Sequence, residues 1–167
     1  MNRIIFQNES GGISVIVPTG ELPIEAVAAK DVPAGVPYEI VSADDIPSDR
    51  FFRNAWIADG AAVAVDLGKA KDIGHDIRRQ QRAEEFQPFD EIIAKQIPGA
   101  DAAEAEANRQ AIRDKYTQVQ AEIEVAATPT EIKVALGLEQ PAPEPEPQAE
   151  PVPAPEADPA AEPVPEN

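Results

Sequence analysis

The sequence predicts an α+β fold in three parts. We expect a small three-stranded β-β-α-β unit over residues 1–57, an antiparallel helical hairpin with a short terminal helix over 58–139, and a disordered acidic tail over 140–167. Three observations predict this order. Runs of β-branched and aromatic residues separated by turn signals come first, apolar residues at intervals of three or four follow, and a segment of proline, glutamate and alanine ends the chain.

The first unit is predicted from strand and helix signals that alternate along the chain. RIIFQ (3–7) and ISVIVPT (13–19) predict a β-hairpin, because β-branched and aromatic residues dominate both runs. Two glycines just before the second run offer the positive φ that a turn needs. Pro23 is the predicted first residue of a short helix, since apolar residues then recur at helical spacing. YEIVS (38–42) predicts the third strand.

The stretch PSDRFFRNAW (47–56) holds three of the eight aromatic residues of the chain. We expect Phe52 and Trp56 to close the core between the β unit and the helices, with Arg50 and Arg53 turned outward. The alternative is an exposed patch of rings and guanidiniums, which is the composition favoured at interface hot spots. The candidate interface residues are Arg50, Phe51, Phe52, Arg53 and Trp56.

Ser48 is the predicted cap of a helical turn that contains Phe52 and Trp56. After this turn, Asp59-Gly60 predicts a tight turn, and AAVAV (61–65) predicts a short strand. The period of the apolar residues then changes from two to between three and four.

Two long helices are predicted next. The first covers roughly 66–97, with Asp66 as its N-cap. Pro88 predicts a kink or break near 84–87, because proline lacks the amide hydrogen and crowds the preceding turn. The mostly polar residues 78–85 are expected to face solvent.

The second long helix, about 101–126, follows a short connection at 98–101 and carries a seven-residue repeat of apolar residues. This repeat is typical of one arm of an antiparallel hairpin or coiled coil, which also makes the hairpin a candidate surface for homo-oligomerisation. A last short helix is predicted after it. Thr128 and Glu131 would form its capping box, and Gly137 would follow its end.

The charge balance is strongly acidic, since 31 Asp and Glu and 14 Lys and Arg give a net charge of −17. Nucleic acid and anionic membrane surfaces would be repelled, so neither is a predicted partner. The chain has no cysteine, which excludes a disulfide framework and a thiolate zinc site. We expect no signal peptide and no membrane span, because the apolar runs are too short.

The predicted tail contains seven acidic residues and no basic ones. Its composition cannot bury enough apolar surface to offset the entropy of ordering it. The basic run Arg78, Arg79 and Arg82 on the first long helix could hold an acidic partner, including this tail. The simpler interpretation is a solvated helix face with local ion pairs.

No catalytic, cofactor or metal residues are predicted, and the chain is expected not to be an enzyme. His75, the only histidine, has no nucleophile near it in sequence and is expected on a solvated helix face. The acidic pairs Asp44-Asp45 and Glu84-Glu85 do not match a metal-binding spacing, so we interpret them as surface charge.

Several segments resemble a group of small tailed-bacteriophage proteins that are encoded beside tail-tip and tail-fibre genes. The matching pieces are the strand-turn-strand opening, IEAVAAKDVPAG (24–35), PSDRFFRNAW (47–56), VDLGKAKDIGHDIRR (65–79) and TPTEIKVAL (128–136). The resemblance covers about residues 1–138 and leaves out the tail.

This resemblance implies a non-enzymatic structural or interaction protein of the phage tail that docks on tail-tip or tail-fibre subunits. The neighbouring possibility is a tail-fibre assembly chaperone that is absent from the mature virion. Either protein would act in the host cytoplasm during assembly, and a structural one would remain in the virion tail. Two other classes stay open, a small enzyme and a host-directed inhibitor whose acidity mimics nucleic acid.

Overall fold

The structure is a computed structural model, and it describes residues 1–60, 62–95 and 102–140. Two predicted features lie outside these ranges. They are the connection at 98–101 and the acidic tail from residue 141 onward.

The described residues form five strands, four α-helices and two short 3-10 turns, in an order that confirms the predicted α+β class. The strands are β1 (Asn2–Gln7), β2 (Ile13–Ile16), β3 (Tyr38–Ser42), β4 (Trp56–Asp59) and β5 (Ala62–Val65). The helices are α1 (Ile24–Asp31), α2 (Leu67–Lys95), α3 (Ala102–Val125) and α4 (Pro129–Ala135), and the 3-10 turns are Ala43–Asp45 and Arg53–Ala55.

The first sheet has the antiparallel order β2-β1-β3, with β1 in the centre. Ile4 on β1 lies opposite Ile40 on β3 and is fully buried. In the turn between β1 and β2, Gly11 has a φ of +74°, while Gly12 donates its N–H to the side-chain oxygen of Asn8 at 3.0 Å. Of the two predicted turn glycines, only Gly11 therefore takes positive φ.

A second, two-stranded antiparallel sheet joins β4 to β5 through a turn in which Gly60 has a φ of +58°. The expectation that Trp56 belongs to a helical turn is wrong, because Trp56 begins β4 and pairs with Val65. The predicted boundary at residue 57 falls inside this strand.

Helix α2 begins where predicted, since the Asp66 carboxylate accepts the N–H of Lys69 at 3.0 Å. Of the predicted kink or break near 84–87, the break is excluded, because α2 continues through Pro88 to Lys95. Pro88 and Glu84 are both exposed. The Glu84 carbonyl that loses its usual N–H donor is therefore on the side of the helix where water can replace it.

Helices α2 and α3 pack as the predicted antiparallel hairpin. The Lys71 ammonium donates to the backbone carbonyl of Glu124 at 2.7 Å, while toward the other end of the hairpin Arg109 pairs with Asp90 at 3.0 Å. The apolar stripe of α3 faces inward as its repeat predicts, with four buried residues, Ala105, Ile112, Tyr116 and Ile123. None of the helices within the described ranges is long and apolar enough to cross a membrane.

Helix α4 is capped nearly as the sequence predicts. The Thr128 hydroxyl accepts the N–H of Glu131 at 3.2 Å, and Gly137 follows the helix with a φ of +70°. The Glu131 carboxylate reaches back to the N–H of Ala127 at 2.7 Å, one residue before the expected position. That N–H lowers the pKa of Glu131.

Residues 1–60, 62–95 and 102–140 contain two hydrophobic clusters, which meet at Val65. The β cluster is centred on Ile5, Ile13, Val41, Trp56 and Val63. The helical cluster is centred on Phe52, Ala55, Ala70, Ile123, Ala126, Ile132 and Leu136. Val65 packs against both clusters, so the β unit and the helices share a continuous interior at this residue.

Candidate interaction surface

The segment between β3 and β4 is shaped by backbone hydrogen bonds rather than by a long helix. The Asp49 carboxylate accepts the N–H of Phe51 at 2.9 Å in a turn before the 3-10 turn Arg53–Ala55, which has no side-chain cap, so the prediction that Ser48 caps a helical turn is wrong. The N–H of Ala55 donates to the carbonyl of Phe52 at 2.8 Å. The N–H of Asp66 then donates to the carbonyl of Ala55 at 2.8 Å, which fixes the start of α2 against this turn.

The two predicted core rings are buried, as expected. Phe52 is 2% exposed in the helical cluster, and Trp56 is 4% exposed in the β cluster. The side chains of Arg50 and Arg53 are exposed, which confirms their predicted outward direction. The stretch therefore joins the two clusters with one ring in each.

Phe51 is the exposed ring of the stretch, with 43% of its surface accessible. Its ring lies 4.8 Å from the ring of Phe52 in an edge-to-face arrangement with an interplanar angle of 82°. Because Phe52 is fixed in the interior, this contact restrains Phe51 at the surface. Arg50 and Arg53 form no ion pair with any described residue. We call Arg50, Phe51 and Arg53 the junction patch.

An ion pair ties the edge of this patch to helix α4. The Lys133 ammonium lies 2.7 Å from the Asp49 carboxylate and also contacts Glu139. The bond from Lys133 lowers the pKa of Asp49, and the N–H of Phe51 lowers it further. The residue before Arg50 is therefore held to the helical part as a carboxylate, while the two arginines stay available.

The junction patch combines the residue types that are common at protein interfaces. An exposed aromatic ring with two exposed arginines next to it in the chain combines apolar contact area with bidentate donors, which is the composition of interface hot spots. Within residues 1–60, 62–95 and 102–140, no group of three or more His, Cys, Asp or Glu side chains could hold a metal ion.

His75 does not lie on a solvated face, so that prediction is wrong. Its side chain is 16% exposed, and its Nε2 lies 3.2 Å from the Glu124 carboxylate on α3. Its Nδ1 is buried without a hydrogen-bond partner among the described residues. The long-range contact arises because the antiparallel hairpin brings the end of α3 beside the start of α2.

The polar residues 78–85 were expected to face solvent, and this is wrong for three of them. Arg78 donates to the carbonyl of Tyr116 at 3.4 Å, and the amide of Gln81 donates to the carbonyl of Leu136 at 3.3 Å. Glu85 accepts from the hydroxyl of Tyr116 at 2.8 Å.

The spacing of these three residues explains why they face inward. Residues 78, 81 and 85 continue the helical face that begins at the buried Gly74. Their spacing of three and four residues from Gly74 therefore predicts that these polar side chains face the rest of the protein.

A comparison with known proteins finds no matching family model, no matching curated protein and no matching solved structure. The resemblance to tail-region proteins therefore stays a prediction from the sequence.

Proposed function

We propose that this chain is a non-enzymatic structural protein of a bacteriophage tail, and that it docks on a tail-tip or tail-fibre subunit through the junction patch. The observation that carries the proposal is the exposed Phe51 ring between two arginines without ion-pair partners among the described residues. The sequence resemblance to tail proteins supports the choice of partner.

The rigid base of the patch favours binding. Phe51 rests on the buried ring of Phe52, so little conformational freedom is lost when a partner covers it. Arg50 and Arg53 would pair with carboxylates on the partner, since guanidinium and carboxylate match in a bidentate geometry. The expected partner surface is an apolar pocket with an acidic rim.

The helical hairpin would extend away from this contact and could also join copies of the chain. The apolar stripe of α3 is already buried within one chain, so a homo-oligomer would need other residues of the hairpin, such as Val125, which is 80% exposed. Light scattering of the purified protein measures this directly. A monomer at all concentrations would rule out self-assembly.

A tail-fibre assembly chaperone is the alternative. The resemblance implies that such chaperones are small, acidic and helical toward the C-terminus. The net charge of −17 and the helical second half of this chain agree with that description. A chaperone would use the same patch but would leave before the virion matures.

Mass spectrometry of purified virions separates the two roles. A structural protein should be present at a fixed ratio to the tail-tip subunits. Its absence from virions would overturn the structural role. If co-expression then keeps a fibre subunit soluble, the chaperone role is supported.

The patch itself is tested with purified tail-tip and fibre subunits in a binding titration. Phe51→Ala should weaken binding at least about 10-fold, because an exposed aromatic anchor of this kind typically contributes more than about 1.4 kcal/mol. Tyr38→Ala is the matched control, since Tyr38 is 42% exposed and lies outside the patch. Equal effects of the two substitutions would contradict docking through the patch.

A further inference from the structure

Helices α2 and α3 bring several arginines together around Phe86 in an otherwise acidic protein. The guanidinium carbons of Arg82, Arg109 and Arg113 lie 5.2, 5.6 and 5.8 Å from the centre of the Phe86 ring. Arg78 and Arg79 precede them on α2. We call Arg78, Arg79, Arg82, Arg109 and Arg113 the arginine cluster.

Among the described residues, three carboxylates pair with this cluster. Asp76 contacts Arg79, and Asp90 lies 3.0 Å from Arg109. Glu106 lies 2.7 Å from Arg109 and 2.8 Å from Arg113. The five guanidiniums therefore have fewer paired carboxylates than positive charges.

The unpaired charge belongs to Arg82 and Arg78. Arg82 is exposed and forms no ion pair with any described residue, and its guanidinium lies over the face of the Phe86 ring. Arg78 donates to the carbonyl of Tyr116, but its Nε is buried without a partner in the described part of the chain. An additional anion here would meet the exposed guanidinium of Arg82, which no carboxylate of the described residues pairs.

The arginines of the cluster also affect one another. Burial lowers the pKa of Arg78, and the neighbouring charges of Arg79 and Arg82 lower it further, while Glu124 acts in the opposite direction. Repulsion among like charges is relieved when an anion binds between them.

We propose that the acidic C-terminal segment of the same chain, residues 141–167, docks on the arginine cluster. The segment contains seven acidic residues and no basic ones, in a chain whose net charge is −17. Charge complementarity therefore selects this cluster as its binding surface. The contact would cover the cluster until a more acidic or more tightly fitting partner displaces the segment.

The place where the segment begins supports this assignment. The Gln81 amide donates to the Leu136 carbonyl at 3.3 Å, so the end of α4 lies against α2 at the residue next to Arg82. From there an extended chain of this length could span roughly 80 Å. The covalent link also raises its effective concentration to the order of millimolar.

The contact is tested in the full-length protein by paramagnetic relaxation enhancement. Because the chain has no cysteine, Ala160→Cys gives a single site for a nitroxide label within the segment. At about 0.01 M salt, where the Debye length is about 30 Å, amide signals of residues 78–86 and 106–113 should broaden. At about 1 M salt, where it is about 3 Å, the broadening should disappear.

Two double variants give matched controls. Arg79→Gln with Arg82→Gln removes two exposed charges of the cluster and should reduce the low-salt broadening to its high-salt level. Arg50→Gln with Arg53→Gln removes two exposed charges elsewhere and should leave it unchanged.

Three outcomes would overturn the proposal. The first is an absence of broadening around the cluster at low salt, and the second is broadening centred on Arg50 and Arg53. The third concerns a mixture of spin-labelled molecules and separate isotope-labelled molecules. Broadening in this mixture as strong as in the doubly labelled protein would mean that the segment docks on another copy of the chain. None of these outcomes depends on the proposed tail function.

Discussion

Phe52 and Trp56 lie four residues apart in the chain, and their rings are buried in different hydrophobic clusters. The 3-10 turn Arg53–Ala55 separates the two rings. Val65 packs against both clusters. This arrangement predicts that the β unit and the helices unfold together.

Phe52→Ala tests this coupling. Loss of the buried ring should lower the free energy of unfolding by about 3–5 kcal/mol, since it removes apolar burial and leaves a cavity. Fluorescence of Trp56 reports on the β cluster, whereas far-UV circular dichroism reports mainly on the helices. Both probes should show the same shifted denaturation midpoint.

Phe51→Ala is the control for this variant, because Phe51 is 43% exposed. It should change the free energy of unfolding by less than about 1 kcal/mol. A Trp56 transition that stays at the wild-type midpoint while the circular dichroism shifts would show that the two clusters unfold separately.

Gly74→Ala should destabilise the protein although alanine favours helices. A Cβ at this position would lie 2.7 Å from Cγ2 of Ile132, which is fully buried on α4. The clash should cost about 1–3 kcal/mol, more than the roughly 1 kcal/mol that alanine contributes in an exposed helix. Thermal denaturation gives the sign of the change.

Gly68→Ala is the matched control on the same helix. Its added Cβ would meet only a side-chain oxygen of Asp66, at 3.2 Å. That oxygen also accepts the N–H of Lys69, and it needs to move by only a few tenths of an ångström, so this variant should destabilise the protein less than Gly74→Ala does. A stabilised Gly74→Ala variant would contradict the close approach of α2 and α4.

Tyr116 should make stability fall at alkaline pH. Burial raises the pKa of Tyr116 above its ordinary 10.0, and the hydrogen bond to Glu85 raises it further. The folded state favours the neutral phenol, so this contribution is complete below about pH 10 and is lost as the pH rises above that value. Tyr116→Phe should remove this loss, and it should lower stability at neutral pH by about 0.5–1.5 kcal/mol.

Tyrosinate absorbance of Tyr38→Phe measures the effect, because Tyr116 is then the only tyrosine. Adding Glu85→Gln keeps an acceptor but removes the negative charge, so the pKa of Tyr116 should fall. If Tyr116 titrates at the ordinary value in the folded Tyr38→Phe variant, the buried hydrogen bond is absent in solution.

Thr128→Ala should loosen helix α4. The Thr128 hydroxyl caps this helix by accepting the N–H of Glu131, so its loss should cost about 0.5–2 kcal/mol. Hydrogen exchange should quicken at Ile132 and Leu136, whose side chains belong to the helical cluster. Thr130→Ala, at an exposed position two residues later, should leave exchange unchanged.

The sequence could predict the elements whose signals are local. The period of apolar residues located β1, β3 and α3, and Asp66 and Thr128 were correct caps because a cap depends on the few residues that follow it. Strand β4 was missed, since Trp56 at four residues from Phe52 also fits a helical turn and the strand has only four residues.

Contacts between distant segments were harder to predict. The positions of His75 beside Glu124 and of Glu85 beside Tyr116 depend on how α3 returns along α2, which no local pattern determines. In the stretch 47–56, the general preference of large rings for burial correctly predicted that Phe52 and Trp56 are buried. It could not tell in advance that Phe51 would be the ring at the surface.

The hydrogen bond from the N–H of Asp66 to the carbonyl of Ala55 fixes the start of α2 to the 3-10 turn Arg53–Ala55. The helix has 29 residues and, at 1.5 Å per residue, extends about 43 Å from the 3-10 turn beside the junction patch. A partner that holds Phe51 therefore also sets the position and direction of the far end of the hairpin. In an assembly of several copies, the length of α2 would set the separation between a partner bound at the junction patch and a partner bound near Lys95.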